Sequence, residues 1–418
     1  MGSIIFIVLL IILILRLSRN TQEGVVDYVV FSMISPNLNV GTHKISFEIL
    51  VFFVVILVVI LKDGNIFKFY RKKMYRQYLL FFFAIYIMAS LISTLRYGNV
   101  IDIISIFAYF RIISILYLLQ HIMCDKPIEI VDKIISSVLL VNMVVSIIQL
   151  TTPSSVSIFY DFYYKESLTP LGQALSLGYF NRAYGTFGTP VLLGVFSLLS
   201  FAFYFGLIAE KYKTKYRYIK LIFSIALGLM ALSKTVIIGV PTIFLLFILL
   251  SFCRVIKIKN LNIIFMPLLV IPIGVLTVNY LESKGTPIFW YLKYLRDPFD
   301  SFTTRYSGAS GILNNTYSII SDNWLIGVGA KRFTDIFTGD SMYINLMYSS
   351  GVIGTIVYFI PIISATIRNI KSKNLTAVII LLAVLLSGFA APIHLHMSTI
   401  PIIALVFSLS EMKTLIIL

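Results

Sequence analysis

Charge is what this chain has least of. Only 12% of its 418 residues are Asp, Glu, Lys or Arg, against 59% hydrophobic residues. Soluble domains run at about a quarter charged, so a soluble globule is excluded. Cysteine is almost absent: Cys124 and Cys253 are the two. They fall at separate apolar-segment ends, which excludes a disulfide framework and offers no metal-binding spacing. Tryptophan is limited to two residues and histidine to four. His394 and His396 stand two apart near Pro392, a poor spacing for a pair of metal ligands on one helix. Acidic residues are also scarce, 18 against 34 basic ones.

What is there instead is nearly continuous hydrocarbon. Apolar runs that suit a bilayer core, which takes roughly 20 residues, fall at 3–17, 45–61, 77–95, 102–122, 130–150 and 190–209. Others follow at 218–232, 235–252, 261–280, 341–365, 375–394 and 397–418. The expectation is an all-α polytopic membrane protein with about 12 transmembrane helices, folded as a single membrane domain over 1–418. The first run lacks a basic leading segment and a small-residue cleavage site, so it reads as a retained span.

Basic residues are retained on the cytoplasmic side of short loops, and alternate connections separate on that rule. Lys62 to Arg76, Lys126 and Lys133, Lys211 to Lys220, Arg254 to Lys259, Arg368 to Lys373 and Lys413 form one set, holding more than half of the basic residues. This set marks the cytoplasmic face and puts both termini there. The net charge of +16 therefore lies beside the spans, where anionic headgroups account for it without nucleic acid. The segment 18–44, punctuated by Gly24, Pro36 and Gly41, reads as a stretch that dips into the membrane or lies along its surface. Two outward loops are large, 151–189 and 281–340.

These loops carry the polar chemistry. The first ends in Arg182-Ala183-Tyr184-Gly185-Thr186-Phe187-Gly188-Thr189-Pro190, which puts a guanidinium and several N–H groups at the start of a membrane helix, where the dipole favours an anion. The alternative is an interfacial anchor with a helix-starting proline. The second loop, the longest polar interval in the chain, holds Arg305, Asn314, Asn315, Trp324, Gly327-Val328-Gly329, Lys331, Arg332 and Asp340. Its aromatic residues argue against disorder. Arg111 is a charge inside a span, a functional hypothesis by default. Lys234 sits at a short outward break, where phosphate contact and snorkelling explain it equally.

Four segments in order carry a resemblance. They are Arg182-x-x-Gly-Thr-Phe-x-x-Pro190, the break Leu232-Ser233-Lys234, the Arg305 loop with Gly327-Val328-Gly329, and Asp340-Ser341-Met342-Tyr343 leading to Gly351-x-x-Gly354. Together they resemble the O-antigen polymerase (Wzy) and O-antigen ligase family of bacterial envelope enzymes. The resemblance implies a GT-C type, metal-independent glycosyltransferase of the plasma membrane, working at its outer face without a cofactor. It also implies undecaprenyl-pyrophosphate-linked oligosaccharide as substrate, with a flippase and a chain-length regulator as partners. Family ligases carry His where this chain has Asp340, a departure that favours a polymerase. A ligase and a lipid-linked oligosaccharide flippase or other transporter are the alternatives.

The residues suit that chemistry on physical grounds. A pyrophosphate leaves readily once fixed positive charge meets its oxygens, and the forked donors of Arg182 and Arg305 match phosphate geometry. An attacking sugar hydroxyl benefits from a base, and Asp340 is placed to supply it or to cap the following helix. Lys234, Arg111, Tyr184, Tyr343, Lys331 and Arg332 are the further substrate-binding candidates. Lys331 and Arg332 serve equally well as headgroup contacts. No Asp-x-Asp sequence occurs, in keeping with transfer without a metal. Trp290, Tyr291, Tyr294 and Trp324 suit either sugar stacking or an interfacial aromatic belt.

Overall fold

The computed structural model describes residues 2–40, 43–45, 47–63, 74–98, 101–123, 126–152, 158–159, 162–163, 182–252, 306–307, 311–330, 341–396 and 398–412. The helices are α1 (Gly2–Arg19), α2 (Thr21–Ile34), α3 (Phe47–Asp63), α4 (Met74–Tyr97), α5 (Ile103–Ile122), α6 (Pro127–Thr151) and α7 (Pro190–Ala209). They continue with α8 (Arg217–Met230), α9 (Lys234–Phe252), α10 (Ile312–Asp322), α11 (Met342–Lys371), α12 (Leu375–Gly388) and α13 (Ile400–Glu411). One antiparallel hairpin interrupts them, β1 (Leu38–Val40) against β2 (His43–Ile45), with Leu38 opposite Ile45.

Helix boundaries follow local chemistry. Asn20 caps α2 by accepting from the N–H groups of Gln22 and Glu23, and Thr189 caps α7 by accepting from Leu192 N–H, with Pro190 in the first turn. Asn374 accepts from Ala377 N–H to begin α12. The central element is α7, buried along nearly all its length and packed on α8, α9 and α12. Small residues permit that closeness: a methyl on Gly206 would lie 2.6 Å from Thr376 Cα.

Seven helices among the described residues are long and apolar enough to cross a membrane: α1, α4, α5, α6, α7, α9 and α11. Their outward faces leave Ile4, Ile11, Phe81, Leu95 and Ile103 exposed, a surface that lipid covers. The chain is a helical, membrane-embedded, polytopic protein. Of the twelve expected spans, 261–280 lies outside the described residues. Those at 45–61, 218–232, 375–394 and 397–418 correspond to shorter helices, α3, α8, α12 and α13. The last pair is shortened because α12 stops at Gly388. Residues 389–396 then form a folded connection whose turns include Ala390 N–H to Ser387 O and Leu395 N–H to Pro392 O. With 14 and 12 residues, α12 and α13 reach about 21 and 18 Å.

The N-terminal topology departs from the sequence reading. Lys62 Nζ, at the end of α3, donates to Leu17 O (2.8 Å) and Ser18 O (2.5 Å), so α1 and α3 finish at the same end of the bundle. Gln22 at the start of α2 donates to Ile122 O at that end. Ile34 at the finish of α2 accepts from Tyr163 Oη, and Asn37 N–H donates to Phe162 O, in the loop that follows α6. Gly2 lies against the ring of Phe162. Thus α2 crosses the bundle from end to end, and Gly2 and Glu411 lie at opposite ends of it. Residues 21–34 of the 18–44 segment are therefore a helix inside the bundle, which replaces the surface stretch that the sequence left open beside a dip into the membrane. The reason is composition: Gln22, Glu23 and Asp27 dilute the hydropathy of α2. The Arg16–Glu23 (3.2 Å) and Arg16–Asp27 (3.3 Å) ion pairs hold it against α1. The revised path brings Arg16 and Arg19 to the end that carries Lys62, Lys126, Lys211 and Lys371. We call this the basic end and the opposite one the loop end.

Candidate functional site

The first two motif segments pack on each other at the loop end. Arg182 Nε donates to Ala231 O (3.0 Å) and its Nη2 to Leu232 O (3.2 Å), while Ala183 N–H donates to Met230 O (3.0 Å). These are carbonyls that the end of α8 leaves without helical partners, so the guanidinium caps α8 and complements its dipole. Leu232 adopts φ 45° as the chain turns into α9, whose first residue is Lys234. Arg182 therefore holds the turn that presents Lys234.

The N–H groups expected to cradle an anion are engaged inside the protein. Gln149 Oε1 accepts from both Tyr184 N–H and Gly185 N–H at 3.0 Å, and Asn142 Oδ1 accepts from Thr186 N–H at 2.8 Å. Phe187 N–H donates to Tyr184 O. Gln149 Nε2 returns a bond to Gly185 O, and Thr186 Oγ1 donates to Met33 O. The segment is a lock between α6, α2 and α8, and Tyr184 is buried within it.

The third and fourth segments pair through a broken helix. At Gly351, φ is 61° and ψ is −167°, which interrupts α11. An unbroken helix would bond Val352 N–H to Tyr348 O and Ile353 N–H to Ser349 O. Here Val328 N–H takes Tyr348 O (3.0 Å) and Gly329 N–H takes Ser349 O (2.7 Å). In exchange Val352 N–H donates to Trp324 O (2.8 Å) and Ile353 N–H to Leu325 O (3.2 Å). The loop thus replaces bond for bond what the break removes, satisfying backbone groups that hydrocarbon could not. Ala330 extends the strap, donating to Ser90 Oγ on α4 (2.8 Å) and accepting from Asp102 N–H before α5 (2.7 Å).

Arg305, Lys331, Arg332 and Asp340 lie outside the described residues, as do Trp290, Tyr291 and Tyr294. Their flanks are informative. Tyr306, next to Arg305, donates its hydroxyl to Phe389 O (2.6 Å) and shares an apolar cluster with Ile344. Ser341, next to Asp340, is the N-cap of α11, so the cap position expected for Asp340 falls one residue later. Ser341 makes no side-chain cap bond. Tyr343 donates to Leu385 O (2.6 Å), and its ring lies 4.5 Å from that of Phe389. Its hydroxyl anchors α11 to α12.

Arg111 is fully buried and pairs with Glu48 (2.9 Å), itself 1% exposed. Its guanidinium carbon lies 5.4 Å from the Phe107 ring centre. Glu48, on α3, is thus an internal partner for this intramembrane charge. Glu48, Asn142 and Gln149 were not singled out beforehand. Each is a lone polar residue in an apolar run, and that isolation was the available signal, because such a group demands a partner. No protein-family model matches the chain, and no curated protein matches it.

Proposed function

We propose that this protein is a polysaccharide repeat-unit polymerase of GT-C type. It transfers a growing glycan from undecaprenyl pyrophosphate to the next lipid-linked repeat unit, at the outer face of a bacterial plasma membrane. The observation that carries the reading is the pairing of the motif segments, the first with the second and the third with the fourth. Arg182 grips the Leu232-Ser233-Lys234 turn, Gly327-Val328-Gly329 grips the Gly351 break, and Tyr306 meets Ile344 beside the loop end of α12. Segments that flank Arg305 and Asp340 are thereby held together.

In this reading the loop end faces outward and the basic end faces the cytoplasm. Arg305 stabilises charge on the leaving pyrophosphate and Asp340 takes the proton of the acceptor hydroxyl. Arg182 positions Lys234 toward the same phosphates, with Lys331 and Arg332 beside the loop. The product class spans O-antigen, capsule and exopolysaccharide.

The test uses purified protein in detergent with a synthetic lipid-pyrophosphate repeat unit. Chain growth that survives chelator and falls about a hundredfold in Arg305→Ala supports the proposal. Asp340→Asn should fall at least as far, since a base contributes about 10²–10⁴. Transfer only to a different acceptor identifies a ligase. A second reading, transport of the lipid-linked unit, is favoured by the discontinuous α11 and the buried Arg111–Glu48 pair, features of transporter cores. Movement across liposomes with no polymer in detergent would select it.

A further inference from the structure

Just past α10 the chain leaves Trp324 and Leu325 exposed, and on the helix itself Leu313 and Tyr317 are exposed while Ile312 and Thr316 are buried. The place where this apolar patch is attached identifies what covers it. Leu325 O accepts from Ile353 N–H at the Gly351 break. From there Ile353, Ile356, Ile363 and Ile367 form an exposed stripe down α11, a helix long enough to cross a membrane. On the other side Asn323 Oδ1 accepts from Arg96 Nη1 (3.3 Å) at the end of α4, where Leu91, Ile92 and Leu95 are exposed. The patch therefore continues the lipid-facing sides of two spanning helices that pack on each other.

Depth agrees with continuity. Helix α4 starts at the basic end, where Tyr75 N–H donates to Glu411 Oε1 (2.8 Å). Arg76 and Arg96 bracket its apolar stretch, about 30 Å apart at about 1.5 Å per residue, and the hydrocarbon core of a bilayer is roughly 30 Å thick. On α11 the stretch from Ile353 to Lys371 at the basic end covers about 27 Å on the same rise. Two helices running in opposite directions thus put Arg96, Trp324 and Leu325 at one level, the boundary between acyl chains and headgroups. Tryptophan and tyrosine concentrate at that boundary, because an apolar ring with one polar edge suits it.

The charge at this level suits the same layer. Arg96 is exposed, and its guanidinium carbon lies 5.2 Å from the Tyr97 ring centre. A guanidinium has five N–H donors, and the bond to Asn323 leaves others that match phosphate geometry. A soluble partner would have to reach past the headgroups to cover Leu95 and Leu325. A phospholipid meets the guanidinium with its phosphate and the apolar patch with its chains.

We propose that α10 and its Trp324–Leu325 foot form an interfacial anchor, docked on the phospholipid leaflet at the loop end, with Arg96 on headgroup phosphate. The consequence is mechanical: the strap that completes the hydrogen bonds of α11 is held at the level of the leaflet. This placement is independent of the polymerase reading.

Trp324 is one of two tryptophans, so Trp290→Phe makes it the sole reporter. The full chain is reconstituted into phosphatidylcholine vesicles whose acyl chains are brominated either just below the headgroup or near their ends. The expected result is a loss of Trp324 emission with the first lipid, a smaller loss with the second, and little quenching by aqueous iodide. If Trp290→Phe does not fold, the difference between the wild type and Trp324→Phe gives the same reading. In Arg96→Gln, which keeps an amide for Asn323 and deletes the charge, quenching by the first lipid should weaken. Unchanged quenching there overturns the phosphate contact. Strong quenching by iodide with no effect of bromine overturns the anchor. Emission that responds to neither overturns it too, since a second copy or another part of the protein would then cover Trp324.

Discussion

At Gln149 one side-chain oxygen accepts two backbone N–H groups, from Tyr184 and Gly185, in a buried setting. Leucine has a similar size but accepts nothing, so Gln149→Leu orphans both donors. At about 1–3 kcal/mol for each buried orphan, the variant should lose roughly 2–6 kcal/mol, read as a lowered thermal midpoint in detergent. An unchanged midpoint would mean that the 183–187 turn is not the lock described. The Arg111–Glu48 pair allows a sharper comparison. Removing one member of a buried pair costs about 3–5 kcal/mol, whereas apolar replacement of both is often neutral. Glu48→Leu alone should therefore reduce the folded yield, and Glu48→Leu with Arg111→Met should restore it. Restored protein that lacks activity would assign the pair a functional task. These residues show what sequence discloses at this scale. Arg111 and Arg182 were conspicuous as charges, but their partners are carbonyls and a carboxylate brought in by other helices, and no spacing in the chain announces those.

The broken helix is an element-scale device. Gly351 occupies a backbone conformation open to few other residues, and a methyl there would lie 2.4 Å from the Leu325 carbonyl carbon. Gly351→Ala has two ways to respond, by straining the junction or by straightening α11 and expelling the Trp324–Gly329 strap. Either outcome breaks the exchange of four hydrogen bonds across the junction. We expect a loss of at least about 2 kcal/mol, from the strain of a side chain in this glycine-only positive-φ conformation and the displaced bonds together. Fluorescence should also respond, since Trp324 is one of two tryptophans. A variant with wild-type stability and spectrum would show that the strap does not depend on the break. The glycines were visible in the sequence as a motif, while the break was not, because 341–365 reads as one uninterrupted apolar run. For the same reason α12 and α13 were expected to be longer: hydropathy does not distinguish a helix from an apolar connection folded inside protein.

For the molecule as a whole, hydropathy identified the membrane class and most of the helices, and it did not single out α2. With α2 inside the bundle, α1 finishes where α3 finishes, and the sidedness that follows from this can be measured. The contacts of Lys62 with Leu17 and Ser18, and of Gln22 with Ile122, put the end of α1 at the basic end. Moving Arg16 and Arg19 there strengthens the asymmetry from which orientation is inferred. The measurement replaces Cys124 and Cys253 with serine and introduces single cysteines at Ser3, Ser18, Asn314 and Lys373, labelled in intact cells with a membrane-impermeant maleimide. Ser3→Cys and Asn314→Cys should label, and Ser18→Cys and Lys373→Cys should label only after lysis. Had 18–44 been a surface segment between antiparallel spans, Ser18→Cys would label from outside and Ser3→Cys would not. That pattern would exclude the α1–α2–α3 arrangement. The expected pattern instead makes α2 a crossing of 14 residues, about 21 Å long. Such a helix is too short to face lipid along its whole length and is stable only because α1, α3, α5 and α6 pack around it.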